Sequence, residues 1–138
     1  MDATTAKEAG SLERSVSLLE ERFHPAAVLL FGSRATRTER PESDFDIGLV
    51  FAGPGPDAFE LAGARTDLEA MLGHAVNLVA LASASPILRM EALRAHRMLR
   101  CGDRELFERF VVRALGDYFD LKRVREPIER GLLSRGFR

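Results

Sequence analysis

The sequence predicts an α/β chain in which short strands are interleaved with amphipathic helices, and three observations predict it. Residues 26–31 form an unbroken apolar run, Ala-Ala-Val-Leu-Leu-Phe, as expected of a strand buried on both faces. Phe45, Ile47, Leu49 and Phe51 alternate with Asp44, Asp46, Gly48 and Val50, the period-two pattern of a second strand. Elsewhere the apolar residues recur every three or four positions, the period of a helix with one buried face.

Taken in order, Ser11 is placed to cap a first helix carrying Val16, Leu19 and Phe23 on one side, and Pro25 to stop it. The first strand then ends abruptly at Gly32-Ser33, and a polar stretch leads into the second. Gly53-Pro54-Gly55-Pro56 marks a loop. Asp57 opens a helix in which Leu61, Ala64, Leu68, Met71 and Leu72 keep helical spacing up to Gly73. Residues 75–81 read as a third short strand. Ser85-Pro86 starts another helix, with serine as cap and proline in the first turn, and Cys101-Gly102 is its expected stop. Last comes a long amphipathic helix whose stripe of Phe107, Phe110, Val111, Ala114, Leu115, Tyr118 and Phe119 is expected to end before Pro127. Three short strands bury little, so part of that stripe is free to dock on another chain, in a homo- or hetero-oligomer.

Length and charge set the frame. The 138 residues, 46% hydrophobic and 30% charged, suit one globular domain, with a core over about 11–122 and a basic tail at 123–138. No stretch reaches the roughly 20 apolar residues of a membrane span. The charged first 22 residues leave no room for the apolar centre of a secretory signal, so the expected home is the cytoplasm. Cys101 is the only cysteine, which excludes an intrachain disulfide and a cysteine zinc cage, and His24, His74 and His96 are scattered. A net charge of −1 gives the whole protein no pull toward nucleic acid, and no direct binding is expected. The halves differ: residues 1–84 carry −6 and 85–138 carry +5. A solvated, arginine-rich helical surface accounts for the second.

The chemistry lies in 32–46, where Gly32-Ser33, ten intervening residues and Asp44-Phe45-Asp46 make the pattern G-S-x10-D-x-D. Side chains two apart on a strand share a face, with Cα atoms roughly 6–7 Å apart, so Asp44 and Asp46 can reach one hard cation that relieves their repulsion. Mg²⁺ suits such a pair, because it takes one or two carboxylates and completes its shell with water and phosphate. Gly32, without a Cβ, lets the backbone approach a phosphate, and Ser33 adds a hydroxyl at the start of a short helix. The competing reading is a pair of strand-end acids salt-bridged to Arg34, Arg37 or Arg40.

These residues carry a resemblance. The segment 31–50, FGSRATRTERPESDFDIGLV, resembles the signature of the minimal nucleotidyltransferase (MNT) family within the polymerase-β-like nucleotidyltransferase superfamily, and the likeness extends more weakly through 76–81 to about Lys122. It implies a small mixed sheet flanked by helices and transfer of a nucleoside monophosphate, usually AMP from ATP, to a hydroxyl. Gly32, Ser33 and Ser43 would bind the nucleotide, and Asp44 and Asp46 would be the catalytic, Mg²⁺-holding pair. Small MNT proteins often accompany a HEPN-domain partner as antitoxin and toxin, adding AMP to a tyrosine of the partner. A degenerate nucleotide binder that masks its partner, and a small-molecule enzyme of the aminoglycoside-modifying type, are the alternatives.

Two departures from the family pattern bear on this. Thr36-Arg37 stands where the family often has Arg-Gly, so the loop path is expected to differ. Asn77 stands in Val76-Asn77-Leu78-Val79 where a third carboxylate is common. An asparagine can ligate a metal through its carbonyl but cannot take a proton from the acceptor, which favours an acidic acceptor such as a tyrosine. The sequence assigns no role to Arg34, Arg37 or Arg40. It reads Tyr118 as a core residue with a wet hydroxyl and Cys101 as a packing residue at a helix end.

Overall fold

In the computed structural model the described residues are 3–38, 40 and 42–134, with the backbone alone for 3–5 and 124–134. The chain runs α1 (Ala3–Phe23), β1 (Ala27–Phe31), α2 (Ser33–Thr36), β2 (Phe45–Val50), α3 (Ala58–Leu72), β3 (Val76–Ala80), one 3-10 turn (Leu81–Ser83), α4 (Pro86–Arg94), β4 (Arg97–Cys101) and α5 (Arg104–Ser134). The strands form a mixed sheet in the order β3-β2-β1-β4. β1 is antiparallel to both β2 and β4, and β2 is parallel to β3.

Strand alternation sorts the core into two layers. Val28 and Leu30 of β1, with Phe45, Ile47 and Leu49 of β2, pack against Leu12, Val16 and Leu19 of α1 and Ala64, Leu68 and Leu72 of α3. The alternate residues, Ala27, Leu29, Phe31 and Val50, pack on the other face with Ala92 and Leu93 of α4 and Phe107 and Ala114 of α5. Both faces are covered, which is why the whole of β1 is buried. The period-two reading of β2 holds, but Gly48 and Val50 are buried too. A Cβ on Gly48 would come within 2.9 Å of Leu81, so that leucine occupies the space a side chain would have filled.

The local signals for α3 and α4 act as read. Asp57 accepts from the Glu60 amide at 2.8 Å, Glu60 reaches back to the Asp57 amide, and Gly73 closes α3 in the left-handed conformation. Ser85 caps α4 by accepting from the Leu88 amide at 3.2 Å.

Three expectations are corrected. Helix α1 begins at Ala3, so Ser11 is no cap: it lies mid-helix, buried, with its carbonyl accepting from the Ser15 hydroxyl. Ala6, Lys7, Glu8 and Ala9 favour helix, and Gly10 costs only about 1 kcal/mol, too little to stop it. The helix expected to reach Cys101 ends at Arg94, and a fourth strand follows. Strand β4 fills the edge of β1 that would otherwise leave its N–H and C=O groups unpaired. Arg100 on β4 also pairs with Glu20 and Glu13 of α1, and the hydrogen bond to Glu20 pushes its pKa still further above the ordinary arginine value. Finally, α5 continues through Pro127 to Ser134. An interior proline removes one helical hydrogen bond and costs about 3 kcal/mol, but it bars helix only locally, and the arginine, glutamate and leucine residues around it are compatible with helix. The side chains of the basic tail's apolar residues, Ile128, Leu132, Leu133 and Phe137, lie outside the described residues.

Candidate nucleotide and metal site

The site forms where β1 ends and β2 begins. Asp46 pairs with Phe31 across the antiparallel β1–β2 ladder and with Asn77 across the parallel β2–β3 ladder. Asp46 therefore sits between the Gly32 turn and the start of β3. It shares the sheet face of Gly48 and Val50, the face covered by α4 and α5.

Gly32 meets two demands that no other residue meets. Its φ is +73°, and a Cβ at this position would lie 3.1 Å from Cγ of Asp46 and closer still to Oδ2. The turn is thus seated directly on the Asp46 carboxylate. Ser33 starts α2 and is half-buried; among the described residues its hydroxyl has no hydrogen-bond partner.

The two aspartates differ. Asp44 precedes β2 and is exposed. Asp46 is half-buried, and its Oδ1 accepts a 2.7 Å hydrogen bond from the Asn77 amide nitrogen. Among the described residues no lysine or arginine forms an ion pair with either acid. The salt-bridge reading of the pair therefore finds no partner among them. The donors are hard oxygens, chemistry that suits Mg²⁺. Among the described residues no three of His, Cys, Asp and Glu form a cage, so an ion held here takes further ligands from water or phosphate.

The three arginines have distinct places. Arg34 is buried, with Nε and Nη2 donating to the Ser43 carbonyl at 3.0 and 2.8 Å and Nη1 to Glu8. Arg37 ends α2 with φ +58° and ψ +35°, the left-handed position that glycine commonly fills. Arginine itself takes that left-handed conformation here. Arg40 donates its amide to the Ser43 hydroxyl at 2.8 Å and accepts from the Ser43 amide. Ser43 is therefore a loop-closing residue whose hydroxyl keeps its own proton to donate. Tyr118 is half-buried on α5 with its ring edge-on to Phe119, and Cys101 is half-buried at the end of a strand, not a helix. A groove of about 510 Å³ beside α1, lined by Glu13, Leu18, Glu21, Arg22 and Met71, lies on the opposite side of the sheet from Asp46.

The chain belongs to the polymerase β nucleotidyltransferase family, whose model matches residues 13–105. It is similar, at 25% identity and a TM-score of 0.74, to a chain in a crystal structure of a toxin-antitoxin with AMP-PNP, over 88% of this chain and 98% of that one. At 26% identity and a TM-score of 0.71 it is similar to a chain in a mutant of the toxin-antitoxin MntA-HpeT, over 86% and 94% of the two. A chain in the complex of tri-AMPylated Shewanella oneidensis HEPN toxin with MNT antitoxin shares the fold, with 24% identity, a TM-score of 0.73, and coverage of 94% and 98%. A search of curated protein sequences returned no match. Among the described residues no helix is long and apolar enough to cross a membrane.

Sequence reasoning had singled out Gly32, Ser33, Ser43, Asp44, Asp46 and Asn77, and the fold gathers them around one end of β2. It missed the hold of Arg34 and Glu8 on the loop before Asp44. No spacing signals that hold, since Glu8 is 26 residues away on another element.

Proposed function

We propose that this chain transfers a nucleoside monophosphate, AMP from ATP, to a hydroxyl, and that the acceptor is a tyrosine of a HEPN toxin for which it acts as the cytoplasmic antitoxin. The observation that carries the reading is the seating of Gly32 on Asp46, beside Asp44, with no protein cation among the described residues competing for either acid. The similar chains seen with AMP-PNP and with an AMPylated HEPN toxin support it.

In this reading Asp44 and Asp46 hold Mg²⁺, which when bound neutralises triphosphate charge and aligns the attacking and leaving oxygens. Gly32 lets the turn close on Asp46, and the hydroxyls of Ser33 and Ser43 donate to the phosphates. The acceptor oxygen forms a bond to the α-phosphorus, the bond to pyrophosphate breaks, and the acceptor proton passes to solvent. Asn77 holds Asp46 as a neutral donor and takes no proton. That restriction fits a phenol, with a pKa near 10, better than an aliphatic alcohol.

A second reading is favoured by the same Asn77 contact: a nucleotide-binding protein that silences its partner by complex formation alone. Mass spectrometry of the protein encoded beside this chain, after incubation with ATP and Mg²⁺, separates the two. A mass increase by whole AMP units supports transfer. An unchanged partner in a stable complex supports masking and overturns transfer.

A further inference from the structure

Arg34 is buried, and each nitrogen of its guanidinium has a protein partner. Its side chain is 6% exposed and pairs through Nη1 with Glu8 of α1. Nε and Nη2 both donate to one acceptor, the Ser43 carbonyl, and the guanidinium carbon lies 3.9 Å above the centre of the Phe45 ring. These two contacts flank Asp44. The Ser43 carbonyl belongs to the planar peptide that ends at the Asp44 nitrogen, so fixing that oxygen fixes the plane on which Asp44 is mounted. The residue after Asp44 is the one stacked under the guanidinium.

The alternative use of Arg34, as a phosphate-binding cation, does not fit. Its charge is already matched by Glu8, and its Nε, Nη1 and Nη2 are all directed to protein oxygens. Asp44 itself is exposed and, among the described residues, has no hydrogen bond of its own to orient it. Its placement has to come from the backbone that carries it.

We infer that Arg34 is a positioning residue: with Glu8 it clamps the Ser43–Asp44 peptide so that the Asp44 carboxylate is held ready for a divalent cation. The inference rests on the nucleotide reading above for what Asp44 holds, and on geometry alone for the clamp. An ion pair on α1 thereby tunes a metal ligand that it does not touch. Groups standing behind a ligand in this way typically change metal affinity by about 10- to 100-fold when altered.

The full chain carrying Arg34→Lys keeps the positive charge but cannot place two N–H groups on one carbonyl. AMP-PNP binding, titrated with and without Mg²⁺, is expected to show wild-type affinity without the ion and about a tenfold smaller gain from Mg²⁺. Backbone hydrogen exchange over 40–46 is expected to quicken while exchange in β1 and α3 stays the same. An unchanged Mg²⁺ gain in Arg34→Lys overturns the positioning role. Should Arg34→Lys fail to fold, Glu8→Gln, a milder change at a half-exposed side chain, is read by the same exchange: faster exchange confined to 40–46 supports the clamp, and none overturns it. A wild-type chain with no Mg²⁺-dependent AMP-PNP binding overturns the nucleotide reading and the metal-holding role, while the exchange data alone then decide the clamp.

Discussion

The amide nitrogen of Asn77 donates a 2.7 Å hydrogen bond to Oδ1 of Asp46, and the two residues are in register across the parallel β2–β3 pair. An aspartate at position 77 would face Asp46 as a like charge. Asparagine instead relieves that repulsion without a metal, and the site carries one negative charge fewer.

Asn77→Asp is therefore expected to trade metal-free stability for metal affinity. The paired carboxylates raise one folded-state pKa above its unfolded value near 4, so the folded state binds more protons. Metal-free stability then falls as pH rises from about 4 through that raised pKa, relative to the parent chain. Mg²⁺ should restore it and bind at least tenfold more tightly. Thermal melts across pH, with and without Mg²⁺, check both halves; identical pH dependence of variant and parent would remove the charge argument.

Gly32→Ala should damage the site more than the fold. The left-handed backbone costs about 1–3 kcal/mol for a residue with a Cβ, and that atom collides with the Asp46 carboxylate. Urea unfolding should show a loss of that size, and Mg²⁺-dependent binding of AMP-PNP should fall at least tenfold. Unimpaired binding would mean that the turn is not pressed on Asp46.

Arg37→Gly is expected to stabilise the chain by about 0.5–1 kcal/mol, because arginine occupies a left-handed cap that glycine adopts without steric cost. A higher urea midpoint with an unchanged slope is the signature. A lower midpoint would show that the Arg37 side chain contributes more than its backbone costs.

How much of this was legible in the sequence follows from which signals are local. Asp57 with Glu60, Ser85 with Pro86, and Gly73 act within a single turn, and both ends of α3 and the start of α4 are where the pattern put them. Residues 32–46 were legible as one cluster because the turn and the acids lie at the joined ends of adjacent strands, where Gly32 meets Asp46. Strand β4 was not legible, and its irregularity explains why. A bulge opposite Val28 and Leu29 places Met98 beside Leu29 and Cys101 beside Ala27, so two residues three apart pack into one cluster while Leu99 joins the other. Spacing of three imitates a helix, and only the vacant edge of β1 decides for a strand. Ser11 misled for a related reason: cap residues are also tolerated mid-helix when, as with Ser15 bonding back to the Ser11 carbonyl, the local hydrogen bonds are met within the helix. The Arg34–Glu8 pair is tertiary throughout and has no period to betray it.

The most direct test of the account is a crystal structure of this chain with Mg²⁺ and AMP-PNP. The account predicts an ion ligated by both Asp44 and Asp46 and bridged to the triphosphate, with the phosphates against Gly32 and Ser33. A nucleotide bound elsewhere, or a cleft left empty with the two acids paired to arginine, would contradict it.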